Sequence, residues 1–315
     1  SLFSLIDFKV IIDEKEIIRF TEGATEYKLS EDEISNFEYG YYIVKQVSVP
    51  NGYTAAEDKY IEISSKDNVV TVTNERFTIK VSKVDSQGNK LKDSKLKLKD
   101  GDTVLAEWTT TEEEYEIPAS VTQDMSYGKT YTIVESETPA GYTLNQEPKE
   151  FTINQKDNHV TFENVELGLN IVKYDENKNP LSGVVLELKD STGKVLETWN
   201  TSDGNPHKVS SKLKVGQTYY IHEVSVPNGY AIGEDVEITV NNEAVQEKSV
   251  VNEKISLTIV KQNTQNQELS GASFVLLHGE EEIDSWESEE IGHIVDPSKL
   301  QFGETYKLIE VNKGK

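Results

Sequence analysis

Three polar residue types recur on apolar strand faces at matching places in this chain. Their combination is that of a reaction joining two side chains. In Phe77-Thr-Ile-Lys-Val-Ser-Lys83 the alternation of an extended chain puts Phe77, Ile79, Val81 and Lys83 on one face. The same parity groups Tyr131, Ile133 and Glu135, and then Val160, Phe162 and Asn164. The pattern returns with Leu169, Ile171 and Lys173, with Tyr219, Ile221 and Glu223, and with Val250 and Asn252. Singly, a strand lysine is usually solvated and a terminal asparagine usually caps or turns. Two full sets argue against chance, because burying an unpaired ion costs several kcal/mol.

In an apolar site an amine loses its proton more readily and a carboxyl group holds its proton longer. A neutral lysine is a nucleophile, and a protonated glutamate hydrogen-bonds an asparagine carbonyl and polarises it. Attack then expels ammonia and leaves a Lys–Asn amide. Folding supplies the proximity, so the expected chemistry is one turnover of the protein on itself and no turnover enzyme.

Repeats supply the elements that position these residues. The acid lies in Tyr131-Thr-Ile-Val-Glu135-Ser-Glu-Thr-Pro139-Ala-Gly141-Tyr142, a strand closed by a Pro/Gly turn. It recurs as Tyr219 to Tyr230 and, earlier, as Tyr42 to Tyr53, where Gln46 replaces the acid; Tyr306-Lys-Leu-Ile-Glu310 starts a last copy. The turn prolines stand at 50, 139 and 227, separated by 139 − 50 = 89 and 227 − 139 = 88 residues. Trp108, Trp199 and Trp286 mark a second landmark, with Phe20 as the counterpart in the first copy.

Complete units are therefore expected over 76–166 and 167–254. Residues 1–75 read as a unit lacking its first strand, and 255–315 as one that stops two strands early. Ser1 opening on a strand-like run suggests a piece of something longer. Linkers such as Asn74-Glu-Arg76 are too short for swinging domains, which implies a stiff rod. Short period-2 segments rich in Val, Ile, Thr and Tyr, with turns at Ser86-Gln-Gly88 and Asp203-Gly204, predict an all-β sandwich of some seven strands per unit. Helix is expected only as single turns near Ala119–Gln123 and Asp296–Leu300. A last strand is expected at Val70-Thr-Val-Thr-Asn74, as at Val160–Asn164 and Val250–Asn252.

Composition removes several function classes. With 56 acidic against 32 basic residues the formal charge is −24, which repels nucleic acids and anionic membranes. There is no cysteine for disulfides or thiolate metal sites. No run approaches the ~20 apolar residues of a membrane helix, and no signal peptide opens the chain. The histidines 159, 207, 222, 278 and 293 occupy no repeated position and have no recurrent Ser or Asp partner. The acidic loop Asp100-Gly-Asp102 reads as a solvated turn, so no metal or cofactor is expected.

At this point the residues resemble a known family. Lys followed by Val/Tyr-Asp, then Leu181-Ser-Gly183 or Leu269-Ser-Gly271, then Tyr-x-Ile-x-Glu with Pro-x-Gly-Tyr, then a closing Asn, is similar to the B-type domains of collagen adhesins. Those domains build stalks of Gram-positive surface adhesins and many pilins. The resemblance covers essentially the whole chain. It implies tandem inverse immunoglobulin-like β-sandwiches in an elongated rod, with isopeptide bonds Lys83–Asn164 and Lys173–Asn252 assisted by Glu135 and Glu223. Lys261 and Glu310 match the start of a third set whose asparagine would lie beyond Lys315. Asn74 has no lysine, and Gln46 cannot donate an acid proton, so no bond is expected in the first unit. Lys9 is the alternative amine there, but its neighbours align with the second strand of a unit.

The resemblance further implies a monomeric stalk on the cell surface, touching neighbouring repeats of its own polypeptide and anchored to peptidoglycan through a region outside this sequence. A pilus backbone subunit is the first rival, but neither a Tyr-Pro-Lys context nor a Leu-Pro-x-Thr-Gly motif is present. A ligand-binding module using exposed aromatics such as Tyr41 or Tyr115 is the second.

Overall fold

The computed structural model describes residues 6–12, 15–22, 27–202 and 204–312; Asp203 and the side chain of Phe20 lie outside the described residues. Contacts divide the chain into two compact units. One is Ser1–Pro139 with Thr143–Glu166; the other is Ala140–Tyr142 with Leu167–Lys315. Nearly all regular structure is β.

The repeat around 76–166 packs two sheets on one core. The larger is antiparallel, in the order Lys149–Thr152, Thr130–Glu137, Lys95–Asp100, Thr103–Thr109. The smaller sets Thr78–Asp85 between Asp157–Asn164 and Tyr115–Glu116. The first and last strands run parallel, in register from Thr78 opposite Asp157 to Asp85 opposite Asn164. Between the sheets lie Phe77, Ile79, Val81, Leu96, Leu98, Trp108, Tyr131, Ile133 and Phe162. The last strand shows why sequence alternation was readable: Asn158, Val160, Phe162 and Asn164 are buried and the residues between them exposed.

The repeat around 167–254 copies this plan. Val195–Asn200, Val185–Asp190, Thr218–Ser225 and Val236–Thr239 form one sheet. Gly168–Asp175 pairs in parallel with Val245–Asn252 in the other, flanked by His207–Lys208.

The flanking repeats depart from it. Ile6–Ile12 sits between Lys15–Glu22 and Gly40–Gln46, with Lys59–Ile63 beyond. The strand expected at Val70–Asn74 is not one. In the complete repeats that segment owes its ladder to a parallel first strand, and among the described residues nothing takes that place. Val69 is exposed, while Val72 still packs on the small core around Val10, Tyr42 and Val44. In the last repeat, where the parallel partner is likewise not among the described residues, the first strand shrinks to Thr258–Ile259.

Among the described residues helix is limited to single turns, as expected at Ala119–Thr122 and Pro297–Lys299. One turn at Glu31–Ile34 was not expected. It carries a reciprocal capping box between Ser30 and Glu33.

Candidate functional site

The parallel pairing of first and last strands places Lys83 opposite Phe162, two residues from Asn164 on the neighbouring strand. Each lysine-bearing strand is ended by the aspartate two residues on. Asp85 accepts hydrogen bonds from the amides of Gln87 and Asn89, and Asp175 from those of Asn177 and Asn179, which turns the chain at a fixed point.

The acid arrives from the other sheet. Glu135 pairs with Leu96, and the next pair is Lys95 with Glu137, so Ser136 is an extra residue. The same bulge follows Glu223 at Val224 and Glu310 at Val311. Bulges bend a strand and re-aim the adjoining side chain, and here every acid is the last regular residue before one. Nothing in the residue types announced it.

In the 76–166 repeat the three groups meet out of water. Lys83 Nζ lies 3.8 Å from Glu135 Oε1, and the two side chains are 1% and 0% exposed. Asn164 Nδ2 donates to both oxygens of Glu135 at 2.9 Å, and also to Thr138 Oγ1 and the Thr143 carbonyl. The Asn145 amide donates to Glu135 Oε2 at 2.8 Å. Lys83 Nζ and Asn164 Oδ1 are buried with no hydrogen-bond partner. The amine also lies over the Phe162 ring, at 5.3 Å to its centroid.

The 167–254 repeat builds the same arrangement. Lys173 Nζ lies 3.5 Å from Glu223 Oε1, with side chains 3% and 0% exposed. It also donates to the carbonyls of Tyr174 and Val250. Asn252 Nδ2 donates to Glu223 Oε2 and to the Ala231 carbonyl, both at 2.6 Å, and the Gly233 amide donates to Glu223 Oε2 at 2.7 Å. Asn252 Oδ1 again lacks a partner.

Burial pulls the Lys83 ammonium down to about 8, against the upward pull of Glu135 beside it. Lys173 is lowered for the same reason, with Glu223 opposing. Both amines therefore part with a proton more readily than a surface lysine.

The flanking repeats hold partial sets. Gln46 and Asn74 form a reciprocal amide pair, Gln46 Nε2 donating to Asn74 Oδ1 at 3.2 Å and Asn74 Nδ2 donating to Gln46 Oε1 at 2.8 Å. Lys9 is not part of it. It lies on the strand equivalent to Lys95–Asp100, opposite Arg19 and Lys45. Lys261 and Glu310 form an ion pair at 3.1 Å, but with side chains 28% and 27% exposed the site is wet.

Sequence reasoning missed the loop groups that serve the site, Thr138, the Thr143 and Ala231 carbonyls, and the Asn145 and Gly233 amides. Backbone groups leave no trace in residue type, and Val226 stands where Thr138 does. It also misjudged the histidines. His207 and His293 open equivalent two-residue strands and stack on Trp199 and Trp286 at 4.2 and 4.1 Å, with Tyr115 on Trp108 in the third place. Each histidine faces a carboxylate two residues before its tryptophan, Glu197 at 2.7 Å and Asp284 at 2.9 Å. The position repeats after all, hidden by Tyr115 and by a one-residue difference in spacing. Tyr115 is accordingly half-buried, whereas Tyr41 is exposed, as are Tyr39 and Tyr60. Asp100 is paired with Lys129. Among the described residues no group of three or more His, Asp or Glu is placed to hold a metal, and no helix is long and apolar enough to cross a membrane.

The fold and the repeated site define a class: tandem small β-sandwiches whose parallel first and last strands carry a buried lysine and asparagine around an acid from the opposite sheet. A family model described as SpaA, prealbumin-like fold domain, matches residues 77–166, 168–254 and 255–314, and the chain belongs to that family. Among solved structures it is similar to the Bacillus anthracis TIE protein, at 16% identity and TM-score 0.39, covering 98% of this chain and 67% of that one. It is also similar to a C-terminal fragment of the pilus adhesin SpaC from Lactobacillus rhamnosus GG, at 14% identity and TM-score 0.35, covering 58% and 99%. A third is the shaft pilin SpaA of that organism as a double mutant, at 14% identity and TM-score 0.27, covering 57% and 98%. No curated protein matches the chain.

Proposed function

We propose that this chain is part of a structural stalk of a Gram-positive surface adhesin, whose complete repeats are closed by isopeptide bonds Lys83–Asn164 and Lys173–Asn252. The observation that carries the reading is the buried carboxylate of Glu135, and again of Glu223, touching a buried amine on one side and a buried asparagine amide on the other. The names of similar structures, a pilus adhesin and a shaft pilin, support it. The chain would lie outside the cell, its repeats touching their own neighbours, with wall attachment through another region of the polypeptide.

The step balances without redox chemistry. The lysine proton passes to the glutamate, leaving a neutral amine and a neutral acid. A half-turn of the asparagine amide exchanges Nδ2 for Oδ1 at the acid, which then polarises the carbonyl. The new Nζ–Cγ bond forms as Cγ–Nδ2 breaks, and the departing NH2 takes two protons, one from the amine and one from the acid, and leaves as ammonium, a net loss of one ammonia from the chain. Carboxylate and amide remain.

Intact mass is the direct test. The folded chain is expected to weigh two ammonia molecules less than its sequence, and Lys83→Ala to recover one of them. A folded chain of full mass overturns the proposal.

The pH dependence has a defined sign. The reactive state needs one proton on the Lys83–Glu135 pair, and Lys83 gives it up at about 8. Above that pH the amine is neutral but the acid has no proton to lend. Release of ammonia by freshly refolded chain should therefore fall about tenfold per pH unit above 8. Time-resolved mass measurement checks this. A rate that keeps rising beyond pH 9 would show that the acid is dispensable.

A ligand-binding role has one observation of its own, the outward Tyr39, Tyr41 and Tyr60 of the first repeat. It stands second to the stalk, because of those aromatics Tyr39 alone borders the open surface hollow formed with Gly40, Glu62, Ile63 and Ser64.

A further inference from the structure

The loop after each acid, or after Gln46 in its place, serves the site, and those after Gln46 and Glu223 also grip the repeat that follows. On the site side, its carbonyl at Thr54, Thr143 or Ala231 accepts from the asparagine. Its amide at Ala56, Asn145 or Gly233 fixes an oxygen of Gln46, Glu135 or Glu223. At its apex stands the glycine of Pro-x-Gly-Tyr, at φ 81 for Gly52, 89 for Gly141 and 92 for Gly229, where a side chain is strained.

In the second unit the Gly229 amide donates to the Leu300 carbonyl at 2.8 Å, and the Gly229 carbonyl accepts from the Ile255 amide at 2.8 Å. Both partners belong to the repeat that follows. A Cβ at Gly229 would stand 3.1 Å from the Pro297 carbonyl oxygen, so the approach is backbone on backbone. Within the first unit Gly52 does the same, donating to Met125 and accepting from Phe77, with a Cβ position 2.9 Å from Gln123 Cα. Gly141, in the second unit, donates to the Leu213 carbonyl and accepts from the Leu167 amide.

We propose that the Gly229 turn is a positioning element for the Lys173–Asn252 bond and is itself held by the following repeat, so that the fold of residues 255–315 completes the site in 167–254. The inference rests on the cross-linking reading. A loop pinned at its apex keeps the Ala231 carbonyl and Gly233 amide aimed at Asn252 and Glu223. A loop free at its apex lets both drift, and misplacement by about 1 Å costs on the order of a hundredfold in such a step.

The test uses the whole chain with Gly229→Val, and separately with Val295→Asp, which strikes a fully buried core position of the following repeat and leaves 167–254 untouched. Proteolytic peptides are followed by mass spectrometry after refolding, with Lys83–Asn164 as internal reference and hydrogen exchange of Val245–Asn252 as a check on folding. Both variants should form the Lys173–Asn252 bond at least about tenfold more slowly, with the reference bond unchanged and the strand still protected. An unchanged Lys173–Asn252 rate in both variants overturns the inference, as does loss of protection across 167–254 in Val295→Asp, since the neighbour would then support the fold and not the site. Absence of both bonds from the unsubstituted chain overturns the cross-linking reading itself, and this inference with it.

Discussion

Glu135→Gln should leave the 76–166 repeat folded but unlinked, and lower its melting point by roughly 20–35 °C. The bond would close a loop of 164 − 83 = 81 residues. Restricting the unfolded chain by such a loop is worth about 4.5 kcal/mol on the chain-entropy account, and a domain of this size shifts by about 4–8 °C per kcal/mol. The first repeat shows how a glutamine is accommodated there, Gln46 being hydrogen-bonded to Asn74 and to the Ala56 amide. The variant keeps Lys83 buried without its acid, and an amine lowered by burial tolerates that as the neutral form. Scanning calorimetry with intact mass on the same sample decides the matter. A variant that regains one ammonia yet melts where the parent does would remove the stabilising role.

The second large effect is mechanical. Stretched from its ends, a linked repeat passes tension from its first strand to its last through one covalent bond. The 164 − 83 − 1 = 80 residues between Lys83 and Asn164, and the 252 − 173 − 1 = 78 between Lys173 and Asn252, are then shielded from load. Each hides about 280 Å of extended chain. In single-molecule pulling, Glu223→Ala should add one new unfolding step of about that length, and Glu135→Ala combined with it should add two. Steps of that length in the unsubstituted chain would mean that the bonds do not carry the force.

Much of this was legible because the strands are short and half-buried, so alternation reported directly which residues face inward. Lys83, Glu135 and Asn164 stood out by sharing the parity of Ile79, Ile133 and Phe162. The bulges at Ser136, Val224 and Val311 did not stand out, since one extra residue of ordinary type leaves the composition unchanged. The Trp–His stacks were obscured for a related reason, an insertion between Trp199 and His207 that shifts the count by one. Val70–Asn74 looked like its homologues in residue type, but a strand is a property of two segments, and type alone cannot report a missing partner. The capping box at Ser30 is readable in the spacing of Ser30 and Glu33, but it is a lone helical signal in a chain otherwise dominated by period-2 patterns.

The parallel arrangement of first and last strands has a consequence of its own. The load enters near Thr78 and leaves near Asn164, at opposite ends of two strands that run side by side in eight paired positions. Pulling them slides one along the other, so the rungs between them are strained together instead of parting one after another as in a zip. Shear of this kind resists sudden rupture before any chemistry has happened. A newly emerged repeat would thus have a provisional clasp of hydrogen bonds, holding the lysine beside its asparagine for as long as the permanent one takes to set.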